Sequence, residues 1–313
     1  MKQINSIYLS YILLVSLATI WGVNFLFIKL AVAEVGPVTN VWGRLVMAAL
    51  MLYIFMRVSG NRLILTRTYI IFYIAIGLLG SAIPFFLISS AEQTIDAGLA
   101  GVLMSPMPLL TLALSAIILR NEKINFLKVL SFFIAAFGLV VLFGFENLSQ
   151  LGGNNRAECI AQLIVLLAAI CYGVNSIVSK LVPKINFISL ATGTTKASAI
   201  LITPFAIIAE PFWLEDFGTQ SIIAITFQGI LGTALANLMF FKIIELKGPV
   251  FLSLLNFQIP LIALLDIYLL IAINIYILNL MYKESKLAFF LFIPYVAWIS
   301  FASYLNLFIV INN

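Results

Sequence analysis

The chain has 313 residues, of which 63% are hydrophobic and only 9% are charged, and its formal net charge is +5. A soluble domain carries about 25% charged residues, so this composition excludes an ordinary soluble protein and predicts an integral membrane protein. The chain contains no histidine, which excludes imidazole proton relays, His-ligated metal sites and Ser-His-Asp triads.

Ten apolar runs follow one another along the chain, and each is long enough to cross a hydrocarbon core of about 30 Å. The first run lacks a small-residue cleavage pattern, so we expect no cleavable signal peptide. The pattern predicts an all-α membrane protein of about ten transmembrane helices. The predicted spans are 8–31, 38–57, 69–91, 95–119, 125–144, 160–182, 188–209, 219–245, 249–282 and 286–311.

Lysine and arginine residues in the short loops predict the orientation of these helices. Eleven lie on the N-terminal side of the predicted spans, and three lie on the opposite side, namely Arg156, Lys283 and Lys286. The positive-inside rule therefore places both termini in the cytoplasm. Basic loops that face anionic lipid also explain the net charge, so we expect no nucleic-acid partner.

Two halves of the chain resemble each other. Residues 20–30 read Ile-Trp-Gly-Val-Asn-Phe-Leu-Phe-Ile-Lys-Leu, and residues 171–181 read Cys-Tyr-Gly-Val-Asn-Ser-Ile-Val-Ser-Lys-Leu, an offset of 151. The segment 79–82, Leu-Gly-Ser-Ala, is likewise answered by 231–234, Leu-Gly-Thr-Ala. Five predicted spans separate the first pair, so the second copy enters the membrane from the other side. This pattern predicts two inverted five-helix repeats, a common scaffold of secondary transporters.

Several of these residues resemble the EamA domain of the drug/metabolite transporter superfamily. The similar positions are Trp21-Gly22 with Asn24, Arg44, the segment 97–106, Arg120-Asn121-Glu122, the segment 231–236, and Ser253-Leu254-Leu255 with Pro260. The resemblance covers about 8–265, as a first repeat at 8–145 and an incomplete second repeat at 160–265. It implies an exporter or exchanger of amino acids or related small metabolites in a bacterial inner membrane, with a central cavity and no cofactor. A homodimer is left open.

The last part of the chain, 266–313, departs from that pattern. The Gly-Glu turn of the family, expected near residue 276, is replaced by Ile-Tyr-Ile at 275–277. Residues 294–306, with Pro-Tyr, Trp298 and a final Leu-Asn, resemble the last helix of the translocator-protein (TspO) family. The similarity covers about 264–312 and leaves three of that family's five helices without a counterpart, so its ligand binding is not carried over. The last two helices are therefore atypical.

The candidate site residues are polar or aromatic side chains inside predicted spans. Arg44 and Lys196 correspond at an offset of 152, lie deep in their helices, and are expected to face the cavity and bind a substrate carboxylate. The alternative is a hydrogen bond between helices. Aromatic faces come from Trp21, Trp42 and Tyr172, and mid-span amides from Asn24 and Asn175, which either line the site or join helices.

Two further residues lie in the atypical tail. Asp266 falls in the middle of an apolar run and is either a proton-coupling or ligand site, or a residue that pairs at a helix break. Trp298 is either an inherited ligand contact or a packing aromatic. Outside the tail, Lys29 lies towards the outer side, where Glu34 is the expected partner.

Two functions remain open. The first is a secondary transporter that works by alternating access, whose partners are a small-molecule substrate and the lipid bilayer. The second is a transport-inactive membrane protein that binds or senses a hydrophobic ligand through its TspO-like tail. Enzymatic activity is not expected, because no nucleophile, base and metal cluster together in the sequence.

Overall fold

The computed structural model describes residues 2–104, 106–119, 130, 152–153, 155–214, 217–256 and 258. These residues form helices and turns without any strand, and they belong to one compact unit, Met1–Pro260. Six of their helices are long and apolar enough to cross a membrane. The described residues are therefore all-α, and the chain is an integral membrane protein, as the composition predicts.

The helices are numbered here in chain order. Their bounds are α1 Lys2–Val32, α2 Pro37–Val58, α3 Arg67–Ala91, α4 Ala97–Leu103, α5 Met107–Ile118, α6 Arg156–Leu181, α7 Phe187–Ile208, α8 Thr219–Lys247 and α9 Pro249–Ser253. A 3₁₀ turn at Phe212–Leu214 follows α7. The spans 125–144 and 286–311, and most of 249–282, lie outside the described residues, so the count of ten helices stays a prediction.

The span expected at 95–119 is not one continuous helix. It is divided between α4 and α5, which meet around Pro106. Proline lacks a backbone N–H and clashes with the preceding turn, so it ends a helix in this setting. The 12 residues of α5 extend only about 18 Å, less than the thickness of a bilayer core.

Local sequence explains where the best-defined helices begin and end. Asn155 and Asn186 are the N-caps of α6 and α7, and their side-chain oxygens accept hydrogen bonds from the backbone N–H groups of Glu158 and Ile188 at 2.9 and 2.8 Å. Gly248 ends α8 with φ of 83°, a conformation that favours glycine.

A π-helical segment interrupts α3 and another interrupts α8. These segments are Leu78–Ala82 and Ile230–Leu235, and they coincide with the repeated sequences 79–82 and 231–234. Such widened turns occur mostly as short insertions in α-helices, frequently at functional sites. Both segments pack against polar residues of the opposite half of the chain, as described below.

Small residues let the helices approach closely. Helix α2 packs along α7, α1 along α8, and α3 along both α6 and α7. A Cβ added at Gly77 of α3 would come within 2.8 Å of the backbone oxygen of Thr194, and the Gly77 carbonyl accepts a hydrogen bond from Ser198 Oγ at 2.9 Å. Close packing and side-chain hydrogen bonds of this kind are how helices associate in lipid.

Two carboxylates near helix ends cap helices of the opposite half. Glu34 follows α1 and accepts a hydrogen bond from the backbone N–H of Ser221 at 2.8 Å, near the start of α8. Glu210 follows α7 and accepts one from the backbone N–H of Thr39 at 3.0 Å, near the start of α2. A negative charge at a helix N-terminus is favourable, so each acid stabilises the junction.

The expected pair of Lys29 and Glu34 is not formed. Instead Lys29 Nζ donates to the backbone oxygens of Glu92 and Ile95 at 2.6 and 3.0 Å. These carbonyls lie beyond the end of α3, where a helix leaves its last carbonyls without partners, and an ammonium satisfies them. Glu34 instead accepts the hydrogen bond from the backbone N–H of Ser221 in α8.

Candidate functional site

A small cavity lies between α1, α2, α3, α5 and α6. Its volume is about 30 Å³, and four residues predicted from the sequence line it, namely Trp21, Asn24, Arg44 and Tyr172. The remaining walls are mostly apolar, formed by Phe25, Ile28, Phe85, Ile88, Met104 and Met107 together with Asn256. A mostly apolar pocket with a few converging polar groups is typical of small-molecule sites. We call this space the Arg44 cavity.

Arg44 is the charged group of the cavity. It is only 1% exposed, and its Nε and Nη2 atoms each donate a hydrogen bond to Thr233 Oγ1 at 3.1 Å. Its Cζ atom lies 3.7 Å from the centre of the Phe85 ring. The Nη1 atom has no hydrogen-bond partner among the described residues. A guanidinium that is held in place and retains a free donor is suited to binding a carboxylate.

Trp21 and Tyr172 occupy equivalent places in the two copies and face each other. Their ring centroids are 6.1 Å apart, and Trp21 Nε1 donates to the backbone oxygen of Gly232 at 3.3 Å. The Tyr172 ring also lies 6.5 Å from that of Phe85. Two of the three predicted aromatic faces, Trp21 and Tyr172, therefore line the same cavity as the Arg44 guanidinium.

A second, smaller cavity lies on the other side of this aromatic pair. Its volume is about 10 Å³, enough for about one water molecule, and it is lined by Trp21 and Tyr172 together with Asn175, Thr194 and Asn237. Asn175 Oδ1 has no hydrogen-bond partner among the described residues, and the same is true of Asn24 Oδ1 in the Arg44 cavity. Each cavity is thus lined by one asparagine whose buried side-chain oxygen has no hydrogen-bond partner among the described residues.

The two asparagines make reciprocal contacts with the π-helical segments. Asn24 of α1 lies against Gly232 of α8, and Asn175 of α6 lies against Gly80 of α3, each so closely that a Cβ on the glycine would collide with the amide. Equivalent residues of the two copies therefore contact equivalent glycines of the opposite copy.

Two predicted site residues among those described, Lys196 and Trp42, line neither cavity. Lys196 is exposed, and its Nζ atom lies 5.3 Å from the ring centre of Tyr53. Trp42 stacks on Phe212 at 4.1 Å and donates from Nε1 to Thr203 Oγ1 at 3.2 Å. Asp266 and Trp298 lie outside the described residues.

The burial of α2 and α7 explains the placement of Lys196. The buried residues of α2 correspond to buried residues of α7 at an offset of 150, two less than the sequence comparison indicated. This offset pairs Arg44 with Thr194, which is 2% exposed and lines the second cavity. Two positions along a helix turn the side chain by about 200°, so Lys196 points to the opposite face.

Two residues of the site were not predicted from the sequence. Thr233 was noted only as part of a repeated segment, and its contact with Arg44 depends on the π-helical turn. Glu92 received no role from the sequence, yet it is 0% exposed. The sequence feature that could have indicated this burial is that Glu92 directly follows the apolar helix α3. Over the described residues, no three Cys, Asp or Glu side chains converge as metal ligands.

Comparison with known families confirms both resemblances. Residues 8–144 match the EamA-like transporter family, and residues 203–311 match the TspO/MBR family. The TspO-like match begins well upstream of residue 264, where the sequence resemblance starts. It therefore includes α8, which the sequence alone assigns to the second EamA-like repeat.

Two relatives and one solved structure extend the similarity over most of the chain. The uncharacterized transporter YoaV of Bacillus subtilis (strain 168) is 25% identical over 252 residues, which cover 80% of this chain and 85% of that protein. The protein PagO of Salmonella typhimurium is 27% identical over 254 residues, which cover 80% of this chain and 81% of PagO. A crystal structure with 19% identity has a TM-score of 0.61 over 93% of this chain and 96% of that one, a likeness of fold alone.

Proposed function

Since residues 8–144 are an EamA domain within an integral membrane protein, we propose that the protein is a secondary transporter, an exporter or exchanger of amino acids or related small metabolites. The observation that carries this proposal is the Arg44 guanidinium, buried at 1% exposure and with its Nη1 donor free beside a cavity. An arginine inside a membrane helix costs about 2.5–3.5 kcal/mol on insertion scales, so its presence favours a functional role.

The chemistry of the cavity fits a carboxylate-bearing substrate. Arg44 Nη1 is the donor for the carboxylate, and Asn24 Oδ1 is an acceptor for an ammonium or amide group. The side chains of Phe25, Met104 and Met107 contact the apolar part of the substrate. This pairing of one donor, one acceptor and apolar walls suits an amino acid.

Alternating access around this site follows from its dimensions. The Arg44 cavity has about 30 Å³, room for about two water molecules, whereas ligand sites measure about 300–1,000 Å³. The helices must therefore move apart to admit a substrate from one side, and then from the other. The Trp21–Tyr172 pair lies between the two cavities, so the two rings must separate before a substrate passes from one cavity to the other.

Reciprocal contacts support the arrangement of the two halves as inverted repeats. Asn24 of the first half contacts Gly232 of the second, and Asn175 of the second half contacts Gly80 of the first. In the same reciprocal way, Glu34 of the first half caps α8 of the second, and Glu210 of the second half caps α2 of the first. Inverted repeats place a substrate site at their interface near the middle of the bilayer. The Arg44 cavity occupies that interface.

The test is a metabolite-wide efflux screen of bacterial cells that express the chain, an Arg44→Ala variant or an empty vector. We expect carboxylate-bearing metabolites to leave cells with the wild-type chain, and Arg44→Ala to abolish this efflux at unchanged membrane abundance. Arg44→Lys should restore only part of it, because lysine lacks the bidentate fork. Lys196→Ala, an exposed cation on the equivalent helix, is the matched control and should transport normally. Efflux that is insensitive to Arg44→Ala would refute the site.

One observation favours a second candidate function. The TspO/MBR match covers 203–311, which exceeds the tail that the sequence assigned to that family. A ligand-binding or sensory protein would show no difference from the vector in the efflux screen, and would instead bind a hydrophobic ligand through the tail.

A further inference from the structure

A buried carboxylate lies next to the Arg44 cavity and has no role in the binding scheme above. Glu92 is 0% exposed, and neither of its carboxylate oxygens has a hydrogen-bond partner among the described residues. An ionised carboxylate that is buried without hydrogen bonds is strongly disfavoured. A carboxylic acid that carries a proton avoids this cost.

Glu92 sits one helical turn beyond the cavity wall. It directly follows α3, and its backbone N–H donates to the oxygen of Ile88, a cavity residue, at 2.9 Å. Glu92 therefore lies next to the cavity, on the same face of the helix as Ile88. Lys29 lies nearby but is hydrogen-bonded to backbone oxygens, including that of Glu92, and not to the carboxylate.

Two cations act electrostatically on this carboxyl group, Lys29 from α1 and Arg44 from α2. The next acidic residue, Asp96, is exposed. Burial raises the pKa of Glu92 well above its ordinary range, and the two cations oppose that rise. The protonation of Glu92 thus depends on burial, which favours the protonated acid, and on the charges of Lys29 and Arg44, which favour the ionised carboxylate.

We propose that Glu92 is a proton-binding residue whose proton affinity rises when Arg44 holds a substrate carboxylate, so that one proton crosses the membrane with each carboxylate. This inference rests on the proposed role of Arg44 as the substrate anchor. It identifies the coupling ion and the residue that carries it.

The coupling follows from electrostatics alone. A bound carboxylate neutralises the field of Arg44, so the ionised form of Glu92 loses favourable interaction and takes a proton from water on the open side. By linkage, a proton on Glu92 strengthens carboxylate binding at Arg44 by the same factor. When the site opens to the other side, the carboxylate dissociates and the proton returns to water there.

The experiment is an infrared pH titration of the purified full-length chain in lipid nanodiscs, which needs no substrate. The carbonyl stretch of a protonated carboxylic acid is followed in the wild-type chain, Glu92→Gln and Glu34→Gln. We expect a band that persists at pH values where ordinary glutamates are ionised, is lost in Glu92→Gln and remains in Glu34→Gln. Glu34 is the matched control because it is exposed and hydrogen-bonded to the N-terminus of α8.

The role of Arg44 is tested in the same assay with Arg44→Gln and Arg44→Met, two neutral stand-ins for an occupied guanidinium. We expect the proton affinity of Glu92 to rise, because the charge at Arg44 opposes proton binding to this carboxyl group. The absence of a Glu92-dependent band in the wild-type chain would overturn the proposal. So would a folded Arg44→Gln or Arg44→Met variant in which the pH midpoint of the Glu92 band is unchanged. If both variants fail to fold, the wild-type comparison with Glu92→Gln still decides whether Glu92 holds a proton. Either negative result leaves the efflux assignment intact, because the titration involves no transport.

Discussion

Thr233 accepts two hydrogen bonds from Arg44, one from Nε and one from Nη2, each at 3.1 Å. Arg44 belongs to α2 in the first half of the chain, and Thr233 belongs to the π-helical segment of α8 in the second half. The widened turn brings a small hydroxyl to the guanidinium. The anchor of one half is therefore oriented by the other half.

The first prediction concerns this hydroxyl. Thr233→Val keeps the shape of the side chain but leaves two buried N–H groups of Arg44 without an acceptor, and a hydrogen bond to a charged group contributes about 1.5–3 kcal/mol. We expect a lower melting temperature and slower transport in vesicles. Thr233→Ser retains the hydroxyl and is the matched control, which should stay close to the wild-type rate. Near-normal transport in Thr233→Val together with a loss in Thr233→Ser would show that packing by the methyl group, and not the hydroxyl, matters.

The helices of this protein are predictable from sequence because apolar runs of sufficient length form helices in lipid. The sequence predicts spans at 38–57 and 188–209, and the helices in the structure are Pro37–Val58 and Phe187–Ile208, so their bounds agree within one residue. Hydrophobicity carries no information on a π-helical turn. The repeated Leu-Gly segments therefore marked equivalent places without revealing that both helices widen there.

The site was predictable only in part, because burial depends on which face of a helix meets its neighbours. Trp21, Asn24, Arg44 and Tyr172, which the repeat and the charge inside a span singled out, line one cavity. Lys196 was paired with Arg44 at an offset two residues too long, and this shift reverses the helix face. Glu92 lies at a span boundary, where sequence does not distinguish a buried acid from an exposed one.

The second prediction concerns the close approach of α3 and α7. Gly77→Ala would place a Cβ within 2.8 Å of a backbone oxygen of α7, which cannot rotate away. Overpacking of this kind costs about 1–3 kcal/mol, so we expect a clear drop in the melting temperature of the detergent-purified chain. Gly101→Ala is the matched control, since its nearest contact would be a ring carbon of Phe25 at 4.0 Å. An unchanged melting temperature in Gly77→Ala would mean that the two helices separate at this point.

The third prediction concerns orientation. Eleven of the loop and helix-end lysines and arginines lie on one side and three on the other, so both termini should be cytoplasmic. A C-terminal reporter that is active only in the cytoplasm should work, and one that is active only outside should be silent. The reverse pattern would mean an odd number of spans. The prediction of a single crossing at 249–282 would then be wrong, because this segment would cross the membrane twice or not at all.

The last prediction concerns the TspO-like region, whose family match includes α8, the helix that the sequence assigns to the second EamA-like repeat. Thr233 and Gly232 of this helix contact Arg44 and Asn24 of the first half, so α8 packs against two residues that line the Arg44 cavity. The sequence likeness over 264–312 leaves three of the five helices of the TspO family without a counterpart, too few to enclose a ligand site of about 300–1,000 Å³. We expect no saturable binding of protoporphyrin to the purified chain, measured by quenching of tryptophan fluorescence. Replacement of 266–313 by an ordinary ninth-helix end, turn and tenth helix should preserve transport. Saturable binding that Trp298→Ala weakens, and that Trp213→Ala leaves unchanged, would contradict this expectation and favour the sensory function, since an aromatic face is what that substitution removes.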